Sequence, residues 1–121
     1  MGNILTVDDS PSIRQMIKVT LSPVGHNVIE AGDGAQGLEK AKASKPDLII
    51  TDLNMPVMNG LDFIRALRAL PAFVGLPIVF LTTESNESVK AEAKKAGATG
   101  WITKPFKQEQ LLSVVSKLVR S

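Results

Sequence analysis

The stretch ILTVDDSPS, residues 4–12, runs an apolar segment directly into two adjacent acids and then a serine–proline pair. The uncharged run reads as a short buried strand. Asp9 or Ser10 followed by Pro11 reads as a helix start, one of the two serving as N-cap and Pro11 as the first helical residue. Capping accounts for one acid and leaves the other without a role. Like charges side by side resist burial, so the pair is expected at a solvent-facing strand end.

Outward from this stretch, the same order of strand, turn and helix recurs along the chain. The apolar runs are Ile4–Val7, Val28–Ile29, Leu48–Ile50, Ile78–Leu81 and Trp101–Ile102. Between the first two, Ile13, Met16, Ile17, Thr20, Leu21 and Val24 fall at the spacing of one helix face. Shorter stripes follow at Leu38 and Ala41, at Leu61, Ile64 and Leu67, and at Val89, Ala93 and Ala96. Leu111, Val115 and Leu118 make the last. Gly25, Gly34, Pro46, Gly60, Pro71, Pro77, Gly97 and Pro105 punctuate the series. Continuous apolar strands alternating with helices predict an α/β fold, a doubly wound parallel sheet covered on both faces. The whole chain, residues 1–121, is expected to form a single domain.

Composition removes several classes of function. Hydrophobic residues make up 44% and charged residues 21%, a globular balance. With no cysteine, disulfides and thiolate chemistry are excluded. No apolar run approaches the roughly 20 residues that span a bilayer, so no membrane insertion is expected. The amino-terminal MGNILTVDD carries no basic leader, which points to a cytoplasmic protein. A net charge of +2 comes from scattered lysines with no interleaved aromatic platform, so nucleic acid is not an expected partner.

In doubly wound sheets, function sits at the carboxyl ends of the strands, near the point where strand order reverses. Here the first strand runs into Asp8 and Asp9, the third into Asp52, the fourth into Thr82 and Thr83, and the fifth towards Lys104. Three carboxylates gathered on one edge would raise one another's pKa unless a cation offsets them. Zinc is a poor candidate, because the single histidine, His26, precedes the second strand and lies at the opposite edge. Hard oxygen donors suit Mg²⁺ or Mn²⁺. A divalent ion, a hydroxyl and a lysine beside a carboxylate suit phosphoryl groups. Neither Gly-rich phosphate loop is present, so nucleotide binding has no support. An acyl phosphate needs no such cradle, and Asp52 is the natural acceptor because Asp8 and Asp9 can hold the metal together.

VDD at 7–9, TDLNMPVMNG at 51–60, LTT at 81–83 and KPF at 104–106 together resemble the receiver domains of two-component response regulators, of the stand-alone chemotaxis type. The resemblance covers essentially the whole chain. It implies the CheY-like, flavodoxin-like (βα)5 fold with strand order 2-1-3-4-5. It implies Asp52 as phospho-acceptor, charged by a sensor histidine kinase. Asp9, Asp52 and the backbone carbonyl of Asn54 would bind the metal directly, with Asp8 acting through water. Lys104, before a cis Pro105, would contact a phosphoryl oxygen, Thr82 would move towards it on activation, and Trp101 would be the aromatic switch. Asn54 and Glu84 would tune loss of the phosphoryl group, with a phosphatase as a further partner. Thr83 stands where the family often has alanine, and Trp101 where tyrosine is more usual.

Only Arg120 and Ser121 are expected to follow the last helix, so output is expected through protein contact by a monomer. The resemblance places that contact on the fourth helix, fifth strand and fifth helix, with Lys90, Lys94, Trp101, Lys107 and Lys117. The effector would be a protein such as a flagellar switch component. No enzymatic activity is expected beyond self-phosphorylation from phosphodonors and self-dephosphorylation. A phosphate sink and a receiver excised from a larger regulator remain open. A small aspartyl-phosphate phosphohydrolase would want an acid where Asn54 stands. A flavodoxin-like electron carrier would meet negative charge at DDSPS, where the flavin phosphate belongs.

Overall fold

The structure, a computed structural model, describes residues 2–119. Met1, Arg120 and Ser121 lie outside the described residues. Five strands, β1 (Asn3–Val7), β2 (Asn27–Ala31), β3 (Leu48–Thr51), β4 (Ile78–Thr82) and β5 (Gly100–Thr103), form one parallel sheet in the order β2-β1-β3-β4-β5. Five helices connect or follow them: α1 (Pro11–Leu21), α2 (Gly34–Ser44), α3 (Gly60–Arg68), α4 (Glu87–Ala96) and α5 (Gln108–Leu118). This is the CheY-like, flavodoxin-like order that the alternation and the resemblance predict.

Side-chain alternation along the strands builds two cores. Leu5, Ile49, Ile78 and Phe80 point to one face, against Ala41 of α2, Phe63, Ile64 and Leu67 of α3, and Ala93 of α4. Ile4, Leu48, Ile50, Val79 and Leu81 point to the other, against Ile17 and Leu21 of α1 and Leu111 and Val115 of α5. Each of these side chains larger than alanine contributes about 1.5–3 kcal/mol by leaving water. Burial on both faces is why these strands read as unbroken apolar runs.

The strands run a residue or two past the apolar runs, because Asn3, Thr82 and Thr103 pair through their backbones whatever their side chains. The first helix face is shorter than its periodicity suggests. α1 stops at Leu21, Pro23 lacks the N–H that would continue its ladder, and Val24 lies exposed in a 3-10 turn. Met16, also assigned to the buried face, is exposed. Gly34 and Gly60 are first residues of helices rather than residues between elements.

β1 sits between β2 and β3, so chain direction across the sheet reverses between β1 and β3. The residues that follow β1 and β3 therefore flank the crevice in which such sheets place their ligands.

Candidate functional site

Ser10, not Asp9, caps α1: its side chain accepts from Ile13 N–H at 3.3 Å. Both acids are thereby released from capping. Asp8, expected at a solvent-facing position, is only 2% exposed. It tolerates burial because both its carboxylate oxygens have a hydrogen-bond partner. Oδ1 accepts from Ser10 N–H at 2.9 Å and Oδ2 from the Lys104 ammonium at 2.9 Å. Asp9, one residue on, is exposed.

Asp52 leaves β3 with its own N–H bonded to Val7 O at 2.9 Å, which ties the two strand ends together. Its Oδ1 accepts from Leu53 N–H at 2.7 Å, and its Oδ2 from Lys104 Nζ at 3.2 Å. Lys104 is delivered from β5, its backbone N–H bonded to Thr82 O at 2.8 Å and its bond to Pro105 cis. Asp8, Asp9 and Asp52 each place a carboxylate oxygen within 4.8 Å of the others.

Burial pushes the Asp8 carboxyl above its ordinary pKa, against the Lys104 hydrogen bond and charge that lower it. Burial of Lys104 alone would depress its pKa, but hydrogen bonds and charge from Asp8 and Asp52 outweigh that and hold the ammonium above its ordinary value. Lys104 is thus a fixed cation. Three carboxylates against one ammonium leave an excess of two negative charges. Oxygen donors with that excess, open to solvent at Asp9 and without thiol or imidazole, fit Mg²⁺ or Mn²⁺.

The remaining predicted residues lie around this cluster. Thr82 is fully buried, its Oγ1 accepting from Glu84 N–H at 3.2 Å. Thr83 is exposed and Glu84 half-buried on the β4–α4 loop; Asn54 is exposed on the loop after β3. Trp101 is half-buried, its indole N–H donating to Glu84 O at 3.2 Å and its ring 5.6 Å from that of Phe80. Lys90 sits over the indole at 5.8 Å, and Lys90, Lys94 and Trp101 line a groove of about 260 Å³. Lys107 and Lys117 are exposed. His26 lies at the amino edge, its backbone N–H bonded to Leu21 O. A second groove of about 470 Å³, lined by Pro46, Leu70, Phe73 and Leu76 among others, contains none of these residues.

Sequence reasoning missed Arg14. Its guanidinium donates to Asp8 O at 2.6 Å and pairs with Glu30 of β2 at 3.1 Å. The available signal was a basic residue six positions past Asp8, on the first helical turn to follow the acids.

The family model for the response regulator receiver domain matches residues 4–116. The chain is 43% identical over 110 residues to the chemotaxis protein CheY1 of Helicobacter pylori strain J99, covering 89% of each. It superposes on the chemotaxis protein CheY4 of Vibrio cholerae with a TM-score of 0.94 and 45% identity, over 98% of this chain and 99% of that one. The receiver domain of the sensor histidine kinase PA1611 of Pseudomonas aeruginosa, described with a magnesium ion coordinated in its active-site cleft, aligns with a TM-score of 0.89. The two are 28% identical over 97% of this chain and 96% of that one.

Proposed function

The chain belongs to the response regulator receiver domain family, and from that premise we propose that it is a phosphorylation-dependent signalling protein with Asp52 as its acceptor. The observation that carries this reading is the convergence of Asp8, Asp9 and Asp52 within 4.8 Å, with Lys104 Nζ 3.2 Å from the Asp52 carboxylate. In the reaction, an Asp52 carboxylate oxygen attacks the phosphorus of a phosphohistidine on a sensor histidine kinase. The P–N bond breaks, and the electron pair returns to the imidazole. Lys104 neutralises phosphoryl oxygen charge as it develops. Asp8, Asp9, Asp52 and the carbonyl of Asn54 would hold Mg²⁺, which supplies further neutralisation of the phosphoryl oxygens when bound. The Thr82 hydroxyl, now an acceptor for Glu84 N–H, would turn its proton to the phosphoryl group.

Output follows from the same bonds. Moving Thr82 draws on the loop whose Glu84 carbonyl holds the Trp101 indole, so the mark on Asp52 is coupled to the surface of α4, β5 and α5. That surface, with Lys90, Lys94 and Trp101, would bind an effector protein of the chemotaxis type, such as a flagellar switch component. Exposed Asn54 and half-buried Glu84 would admit the water that resets the mark, with a phosphatase assisting. The protein would act as a cytoplasmic monomer, with no catalytic activity beyond gaining and losing its own phosphoryl group. The chain has no helix among the described residues long and apolar enough to cross a membrane.

The test is intact-mass spectrometry after incubation with acetyl phosphate, with and without Mg²⁺. The expected result is one Mg²⁺-dependent, hydrolysable phosphoryl adduct on the wild type and none on Asp52→Asn. A folded wild type that acquires no adduct overturns the reading.

A further inference from the structure

Every polar group of Asp8 has a fixed partner. Its N–H bonds to Ala31 O at 3.0 Å, and its carboxylate oxygens take Ser10 N–H and Lys104 Nζ. Its carbonyl takes Arg14, whose Nη1 approaches at 2.6 Å. That carbonyl belongs to the peptide unit leading into Asp9, so whatever holds it sets the direction in which the Asp9 side chain leaves the backbone. Asp9 itself is exposed, and its carboxylate converges with Asp8 and Asp52 nonetheless.

Arg14 is itself held. Its Nε donates to Glu30 Oε1 at 3.1 Å, and Glu30 stands on β2 opposite Thr6 in the strand register. The planar guanidinium therefore spends one edge on a rigid strand and the other on the Asp8 carbonyl. Its charge is matched by Glu30, which leaves the two-charge excess at the acid cluster intact.

We infer that Arg14, oriented by Glu30, is a positioning residue that holds the Asp8–Asp9 peptide so that the Asp9 carboxylate meets those of Asp8 and Asp52 at the cation site. This rests on the functional reading above and extends it to a residue outside the donor set. Its loss frees Asp9 while Asp52, Lys104 and Thr82 keep their own supports. The consequence is specific: cation affinity falls, but the chemistry at saturating cation is preserved.

The experiment is calorimetric titration of Mg²⁺ into wild type, Arg14→Ala, Arg14→Lys and Glu30→Ala. Each variant is checked for folding by circular dichroism without Mg²⁺. Loss of an outer-shell support of this kind weakens metal binding by about tenfold or more. Arg14→Ala is expected to show that loss, and Glu30→Ala a smaller one. Arg14→Lys, which keeps the charge and reaches the carbonyl without the second bond, falls between wild type and Arg14→Ala. The phosphorylation rate from acetyl phosphate, at Mg²⁺ concentrations that saturate each variant, should then lie within about twofold of wild type. A folded Arg14→Ala or Arg14→Lys with wild-type affinity overturns the inference, as does a rate that stays depressed at saturation. If wild type takes up no Mg²⁺ at all, the functional reading fails first and the inference with it.

Discussion

At the carboxyl edge of the sheet, Asp8, Asp9 and Asp52 crowd their carboxylates within 4.8 Å of one another. At the amino edge, Asp47 accepts the Asn3 N–H at 2.8 Å and Asn27 donates across to the Asn3 side chain at 3.3 Å. Both edges must satisfy strand ends that the sheet leaves without partners. The amino edge does so with neutral amides and a single acid. The carboxyl edge uses like charges that repel, and it holds them with Lys104, which must be supplied from 96 residues further along the chain. Folding alone has no use for the second arrangement. The difference between the edges is therefore the mark of function, and three measurements bear on it.

Packing around two particular glycines differs as well. A Cβ at Gly60, where α3 begins behind Asp52, would meet Asp52 O at 2.3 Å, Phe80 Cε1 at 2.6 Å and Leu53 Cα at 2.9 Å. Two of those neighbours are backbone and cannot swing aside. At the amino edge, a Cβ at Gly75 would meet nothing within 4 Å. Gly60→Ala should destabilise the protein by about 3 kcal/mol and displace Asp52 from Lys104, while Gly75→Ala should stay within about 0.5 kcal/mol of wild type. Urea denaturation of both variants checks this. Equal losses would mean that Gly60 is packed no more tightly than Gly75.

The carboxyl edge was also the more legible in sequence. Parallel strands buried on both faces must be unbroken apolar runs, so any charge is forced to their ends, and Asp8, Asp9, Asp52 and Lys104 stood out for that reason. Asp8 was misjudged, because the bonds that make its burial tolerable come from Ser10 N–H, which has no side-chain signature, and from distant Lys104. Arg14, with only its place six positions past Asp8 as a signal, and Arg68 were missed for a related reason. Their guanidinium groups bond to backbone carbonyls, Arg14 to Asp8 O and Arg68 to Gly97 O and Val74 O, and any residue offers a carbonyl. The end of α1 was overrun because Val24 fits a periodicity that Pro23 interrupts. Apolar pattern shows where an element can lie, but the hydrogen-bond ladder decides where it stops.

Repulsion at the carboxyl edge can be relieved without touching the packed core. Asp9 is exposed and adds negative charge to the two neighbouring carboxylates. In buffer containing a chelator, Asp9→Asn should stabilise the fold by about 1 kcal/mol at low salt, shrinking as ionic strength rises. Saturating Mg²⁺ should invert the order, since the wild type gains stability by binding and the variant loses much of that gain. Thermal melts with chelator and with Mg²⁺ give the comparison directly. Asp9→Asn that melts below wild type without Mg²⁺ would show that the three acids do not strain this edge.

The smallest effect tests the amino edge through its histidine. Burial lowers the pKa of His26 below 6.5, and its Nδ1 is buried without a hydrogen-bond partner among the described residues. The unfolded chain therefore takes up a proton near pH 6.5 that the folded chain resists, so His26 withdraws stability as pH falls through the window below 6.5 and has no effect above it. Asp8, whose pKa burial raises above 3.8, acts with the opposite sign: the folded chain protonates first, and acid relieves the carboxyl edge in the window above 3.8. Descending pH should thus weaken one edge and ease the other. His26→Gln removes the first contribution and leaves the second. In chelator-containing buffer, the stability of wild type relative to His26→Gln should hold level from pH 7.5 to about 6.5 and fall below that towards pH 5, measured by urea midpoints at each pH. A difference that stays constant over that range would mean that His26 accepts its proton as readily in the folded protein as in the unfolded chain.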